Sequence, residues 1–498
     1  MSNIRRQSLI SSIVVYFGFA LGFLNTYLFT REGGFTESQY GLTGTFIAIA
    51  NIMFSFANLG SLAYVYKFYP YYRELPEREN DMMALSLIAS VSGFAIVMMG
   101  GLFFKDLVIR KFSANSPELV QYYYWVFPFG FGLTIYSLFE SVAWQLKKSV
   151  FTNFLREVLF RLFTTALIIL SFAGIIKNFD LFIKLYAFTY LGIALILFSY
   201  LAATKKIFLN FSVSKLTRRL RKKILTYAIF IWGGSLVFMI AQMVDTLIIG
   251  SVVTEGMAFV GVYTLAQNVA SLVQAPQRGI IAASIGPLSQ AWKDKDMALI
   301  NRIYQRSSIN QLIFAVGMFA LIWLNFTDGV LTFHLRPSYL AARDVFFYIG
   351  LMRIIDLGTG LNSQILATSL FWRFEFLTGM VLLVLALPLN YFLAKYMGVV
   401  GPAISNLIAF TIYNAIRYFF LLKRFNMQPF SLKSLYAILL GIAAYYLCFL
   451  LFNNYQGFGW ILLRSVVFMV VYGGAVILLK LTPDIQQVWG SVKARFKR

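Results

Sequence analysis

Apolar stretches of about 20 residues, the length needed to cross a bilayer core, alternate with short polar breaks along the whole chain. Read against those breaks, the pattern predicts about fourteen helical spans. The first six fall near 8–29, 40–66, 83–104, 119–143, 150–174 and 181–203. The next six fall near 224–250, 257–284, 303–325, 341–368, 374–396 and 399–422, and two more near 435–453 and 459–481. The expected fold is an all-α polytopic membrane protein. It comprises a six-helix lobe (1–203), a basic linker (204–223), a second six-helix lobe (224–422), two additional helices (435–481) and a basic tail (482–498).

The two lobes carry a faint internal repeat. A shift of 220 residues lays Asn25-Thr26-Tyr27-Leu28 on Asp245-Thr246-Leu247-Ile248 and Gly41 on Gly261 without a gap. The third and ninth spans match at the same shift, and the later pairs drift but keep their order. Six helices repeated in one orientation imply lobes related by a pseudo-two-fold axis along the membrane normal, with a substrate site expected between them.

Composition supports the membrane reading: 59% of residues are hydrophobic and 13% charged, with a mean hydropathy of +0.72. Soluble domains carry about twice that share of charge. The net charge of +23 invites a nucleic-acid interpretation, which its distribution opposes. Of the 43 Lys and Arg, 28 fall on the N-terminal side of the predicted topology and eight inside spans. Only seven (Arg31, Lys105, Arg110, Lys111, Lys177, Arg336 and Lys395) fall opposite. That asymmetry predicts an even span count with both termini cytoplasmic, and the first span is expected to be retained. Cys448 is the sole cysteine and His334 the sole histidine, so no disulfide framework or histidine metal site is expected. There is no nucleophile elbow and no phosphate-binding loop, and loops are short on both sides. No catalytic residues, metal or cofactor are therefore expected, and the chain is read as a non-enzyme.

Charge inside a span is costly, roughly 2.5–3.5 kcal/mol for Arg, Lys or Asp at a helix centre. Lys184, Arg417, Arg464, Glu375 and Glu140 lie near span ends and are read as interfacial. Six deeper charges remain: Glu157 and Arg161 in the fifth span, Asp245 in the seventh, Arg278 in the eighth, and Arg353 with Asp356 in the tenth. Glu157/Arg161 and Arg353/Asp356 are spaced to pair on one helix face, either as structural ion pairs or as the lining of a wet cavity. At 100° per residue, Tyr263, Gln267, Gln274 and Arg278 fall within about 60° of one another, a polar stripe ending in a cation. Its first-copy counterparts Thr43, Ile47, Phe54 and Asn58 are far less polar. The stripe suits an anionic ligand or polar glue between helices. Asp245, whose counterpart is the neutral Asn25, suits proton or sodium coupling or a partner for an arginine elsewhere.

Met243-Val244-Asp245-Thr246-Leu247-Ile248-Ile249-Gly250 and Val260-Gly261-Val262-Tyr263-Thr264-Leu265-Ala266, with Gly398-Val399-Val400-Gly401-Pro402-Ala403, resemble the polysaccharide-biosynthesis flippases. These O-antigen and exopolysaccharide translocases, of lipopolysaccharide assembly among others, share a superfamily with multidrug and toxin extrusion transporters. The resemblance implies movement of undecaprenyl-pyrophosphate-linked oligosaccharide across a bacterial inner membrane by alternating access. A proton or sodium gradient would drive it, and glycan polymerase and glycosyltransferases would be further partners of a monomer among membrane lipids. On that account Arg278, Arg353 and Arg161, with Gln267, Gln274 and Tyr263, would hold the anionic headgroup. Asp245, Asp356 and Glu157 would carry the ion. A multidrug antiporter and a lipid II flippase are the nearest alternatives, with a membrane-embedded polymerase or acyltransferase behind them.

Overall fold

The computed structural model describes residues 3–204 and 209–482; residues 205–208 of the expected linker and the tail from 483 onward lie outside them. In chain order the principal helices are α1 (Asn3–Thr30), α2 (Glu37–Ala57), α3 (Ser61–Tyr72), α4 (Met82–Phe103), α5 (Val126–Gln145), α6 (Phe160–Phe172), α7 (Phe179–Tyr186), α8 (Thr189–Ala203) and α9 (Lys215–Val252). They continue with α10 (Gly256–Ala270), α11 (Gln277–Asp294), α12 (Met297–Thr332), α13 (Ala342–Gly358), α14 (Asn362–Thr368), α15 (Trp372–Met397), α16 (Val400–Phe425), α17 (Leu432–Phe452) and α18 (Phe458–Leu478). The all-α class is as expected.

Among the described residues, ten helical segments are long and apolar enough to cross a membrane, and the protein is a multi-pass membrane protein. Four predicted spans are not among the ten: the first, represented by the shorter apolar stretch Val14–Thr30, and the fifth, eighth and tenth. The last three are interrupted helices, and they hold eight of the nine residues singled out from the sequence.

Each interruption has a local cause. The fifth span carries a π-turn at Phe154–Leu159 between Ser149–Asn153 and α6. The eighth breaks between α10 and α11. There Leu272, Val273, Gln274 and Ala275 each donate a backbone N–H three residues back, and Pro276, which has no N–H to give, leads into α11. The tenth breaks between α13 and α14 at Gly360, whose φ of +65° favours glycine. The second span likewise divides, at Gly60 (φ +77°), where Asn58 Oδ1 accepts the Gly60 N–H at 2.9 Å. A Cβ on Gly60 would stand 2.5 Å from the Ala228 carbonyl oxygen.

The seventh span is longer than the hydropathy break suggests. α9 runs 38 residues, about 57 Å at 1.5 Å per residue. The basic run Arg218–Lys223, expected in a linker, is therefore helical. Ser214 starts α9 by accepting the Thr217 N–H at 3.1 Å. Its own N–H bonds the buried Asp81 carboxylate at 2.8 Å, and the Thr217 hydroxyl bonds the other carboxylate oxygen at 3.0 Å. Tyr72 and Trp232 add bonds to Thr217 and the Ser55 carbonyl at 2.6 and 2.7 Å.

The chain packs as two compact units, 1–261 and 262–498, so α9 belongs with the helices that precede it. Gly41 and Gly261, a repeat length apart, touch within the first unit. A Cβ on Gly41 would sit 2.0 Å from the Met257 carbonyl oxygen, and one on Gly261 would sit 2.3 Å from that of Glu37. The second unit has a core in which α12, α17 and α18 bury Leu312, Val316, Cys448, Phe468 and Tyr472. At another end, α11, α12, α14 and α16 bury Leu288, Tyr304, Ile365 and Leu421.

Candidate functional site

The π-turn of the first unit exists in a setting of small residues. Gly18 and Gly22 of α1 lie against Glu157 and Arg161, with no room for a Cβ at Gly18 (2.6 Å to the Glu157 carbonyl oxygen). Glu157 and Arg161 form the expected ion pair at 3.1 Å, both largely shielded, and the Arg161 guanidinium lies over the Phe19 ring at 5.6 Å. Asn25 bridges to α6 just beyond the turn: its amide donates to the Arg161 carbonyl at 2.9 Å and its oxygen accepts from Thr165 at 2.6 Å. A π-turn adds a residue to the helical circuit and frees backbone groups, which is why such turns concentrate at functional places. Asp245, 2% exposed on α9, accepts the Thr246 N–H at 2.7 Å.

The second unit gathers more. Asp356 accepts from the Asn414 amide at 3.0 Å and from Gln277 at 3.5 Å. The Asn414 oxygen accepts in turn from Thr359 at 3.1 Å and Asn362 at 2.9 Å, on either side of the Gly360 break. One helical turn further along α16 lies Arg417, 2% exposed, which pairs with Glu375 and donates to Tyr413. Its Nε reaches Thr378 at 3.3 Å, and Ser363 donates to Glu375 at 2.7 Å. A polar network thus joins the start of α11 to the α13–α14 break, α15 and α16. Ionisable groups at membrane depth are stable only with such partners.

The predicted stripe along the eighth span is divided between two helices and the turn that joins them. Tyr263 (0% exposed) and Gln267 sit on α10, Gln274 in the turn, and Arg278 exposed on the first turn of α11. Tyr263 accepts instead from Asn406 of α16 at 3.2 Å. Gln277, beside Arg278, is the residue that meets Asp356. Arg353 is half-buried on α13, three residues before Asp356. Glu157, Arg161 and Asp245 lie in the first unit and the other six in the second.

No family model and no curated protein matches the chain. Solved structures do. The lipid II flippase MurJ in an inward closed conformation superposes with a TM-score of 0.71, covering 95% of this chain and 99% of its own at 17% identity. An inward-facing multidrug resistance MATE family transporter of the MOP superfamily reaches 0.62, covering 86% and 95% at 14% identity. A superfamily transporter from Pyrococcus furiosus, described as having a binding pocket of reversed polarity that suggests a different function, reaches 0.57 at 16% identity. The chain has their fold.

Within that fold, four residues dismissed from the sequence as interfacial prove buried or ion-paired. Glu140, 5% exposed, pairs with Arg156 at 3.2 Å. Glu375 and Arg417 pair as described above. Arg464, 5% exposed, bonds Asp328 at 3.3 Å and the Leu324 and Tyr455 carbonyls at 3.2 and 2.8 Å. For Arg464 the partner lay beyond the predicted span end: α12 runs to Thr332, which carries Asp328 inside the helix. For Arg417 a signal was present, since Asn406, Tyr413, Asn414 and Arg417 recur at helical spacing on one face of α16. Lys184, by contrast, pairs with Asp180 at 2.6 Å with both side chains well exposed, as an interfacial residue should.

Proposed function

We propose that this protein is a flippase that moves a lipid-linked, pyrophosphate-bearing saccharide of the undecaprenyl type across a bacterial inner membrane by ion-coupled alternating access, with both termini cytoplasmic. The observation that carries the reading is where charge sits: the fifth, eighth and tenth spans, each interrupted, hold Arg161, Arg278 and Arg353. Helix breaks free backbone donors beside a cation, and guanidinium forks match pyrophosphate oxygens. Overlap with a lipid II flippase over 95% of the chain supports the same cargo class, whereas the multidrug transporter spans 86%. A cavity for organic cations would favour unbalanced acids, and the deep charges here are balanced or basic. Lipid II itself is the second reading, on the strength of the same overlap.

Asp245, buried and carboxylate-bearing where the first copy has Asn25, is the ion-coupling residue of this reading, with Asp356 and Glu157 behind it. Arg278→Ala and Asp245→Asn, each made in a strain whose surface glycan is scored, are expected to cut glycan export at least tenfold while the protein accumulates at the normal level. Export unchanged in both variants would overturn the assignment. Loss of peptidoglycan synthesis with intact surface glycan would transfer it to lipid II.

A further inference from the structure

We infer that the first three turns of α9 form a binding site for anionic phospholipid headgroups of the membrane leaflet they face. Lys215, Arg218, Arg219, Arg221, Lys222 and Lys223 are all exposed. Between residues 209 and 229 there is no Asp or Glu. The neighbouring turn Glu77–Glu79, reached through the bond from Asn210 to the Arg78 carbonyl, adds two carboxylates and one guanidinium, leaving seven cations against two anions. The Asp81 carboxylate is not available to neutralise them, being buried and engaged by Ser214 and Thr217.

The helix divides its faces. Leu216, Leu220 and Ile224 fall on one side at 100° per residue and are half-buried, beside Thr217, which bonds Tyr72 and Asp81. Lys215, Arg218, Arg219, Lys222 and Lys223 occupy about 140° on the other side. Along that side Arg218, Lys222, Leu225 and Ile229 follow one another at i, i+4, i+7 and i+11, every one exposed, with Leu225 60% and Ile229 58%. One continuous exposed face thus changes from cationic to apolar between residues 222 and 225, a rise of about 4.5 Å. That is the order of polar headgroup and acyl chain met by a helix leaving a bilayer. Leu209, Phe211 and Val213, just before the helix, are exposed apolar side chains as well. A cation cluster at the membrane end of a spanning helix attracts acidic lipids, and the grip of Asp81 on Ser214 and Thr217 holds this one at a fixed depth. A soluble acidic partner would match the charge but not the apolar continuation.

Native mass spectrometry of the full chain in mixed micelles of phosphatidylglycerol and phosphatidylcholine tests the site. In Arg218→Gln/Arg219→Gln/Arg221→Gln/Lys222→Gln the retained phosphatidylglycerol is expected to fall on the order of tenfold, with phosphatidylcholine unchanged. A second variant carrying Arg218→Lys, Arg219→Lys and Arg221→Lys keeps the charge and is expected to retain the lipid, which raised salt should release from wild type. Unchanged phosphatidylglycerol retention in the glutamine variant, or insensitivity of the wild type to salt should that variant fail to fold, would overturn the site. So would its loss in the lysine variant, or displacement by soluble glycerol phosphate at matching concentration.

Discussion

At the scale of single residues, the buried arginines define what holds the second unit together. Arg464 satisfies Asp328, the Leu324 carbonyl within α12 and the Tyr455 carbonyl in the turn between α17 and α18 at once. Removing one partner of a buried pair strands the other charge and costs about 3–5 kcal/mol, whereas replacing both by apolar residues is often neutral. Arg464→Leu is therefore expected to lower thermal stability sharply, and Arg464→Leu/Asp328→Leu to recover most of the loss; melting of the purified variants measures both. The sequence revealed the chemistry of Glu157 and Arg161 because their spacing sets the pair within one helix. It concealed the pairing of Arg417 with Glu375 because that partnership runs between α15 and α16; the spacing along α16 marks Arg417 but not its partner.

At the scale of elements, hydropathy located the spans and missed their breaks. An apolar stretch reads the same whether its backbone is one helix or two, so hydropathy does not report the turn at 271–276, although Pro276 marks the place. The run Arg218–Lys223 read as linker for the opposite reason: charge interrupts hydropathy without interrupting a helix. Close packing, too, lies beyond hydropathy. Gly41→Val would drive side-chain atoms into the Met257 carbonyl, where even a Cβ stands at 2.0 Å. That substitution is expected to reduce folded yield and melting temperature strongly, measured by size-exclusion profile and thermal scan. Gly379→Ala on α15, with open space around its Cβ position, should leave both unchanged.

At the scale of the whole molecule, the sequence repeat and the packing units divide the chain differently. The repeat places its second copy near residue 224, yet the first compact unit closes at residue 261. The all-helical, multi-pass membrane class was accessible from hydropathy and charge. The allocation of α9 was not, because it depends on contacts of Asp81, Ser55 and Gly60 with residues more than a hundred positions away. A fragment ending at residue 261 is expected to resist limited proteolysis in membranes far better than one ending at 203, since only the longer one carries the helix that covers Gly60 and satisfies Asp81.

That division has a consequence for biosynthesis. A ribosome releases the chain from its N-terminus, and the first six spans enter the membrane before α9 exists. Until Ser214 and Thr217 emerge, the Asp81 carboxylate lacks the two bonds they give it in the finished fold, and until Gly261 follows, the Gly41 face of α2 stays open. The early chain must therefore wait, incomplete, for part of the second copy to be synthesised. A pause in translation between codons 203 and 261 would lengthen that wait and expose the nascent protein to membrane proteases.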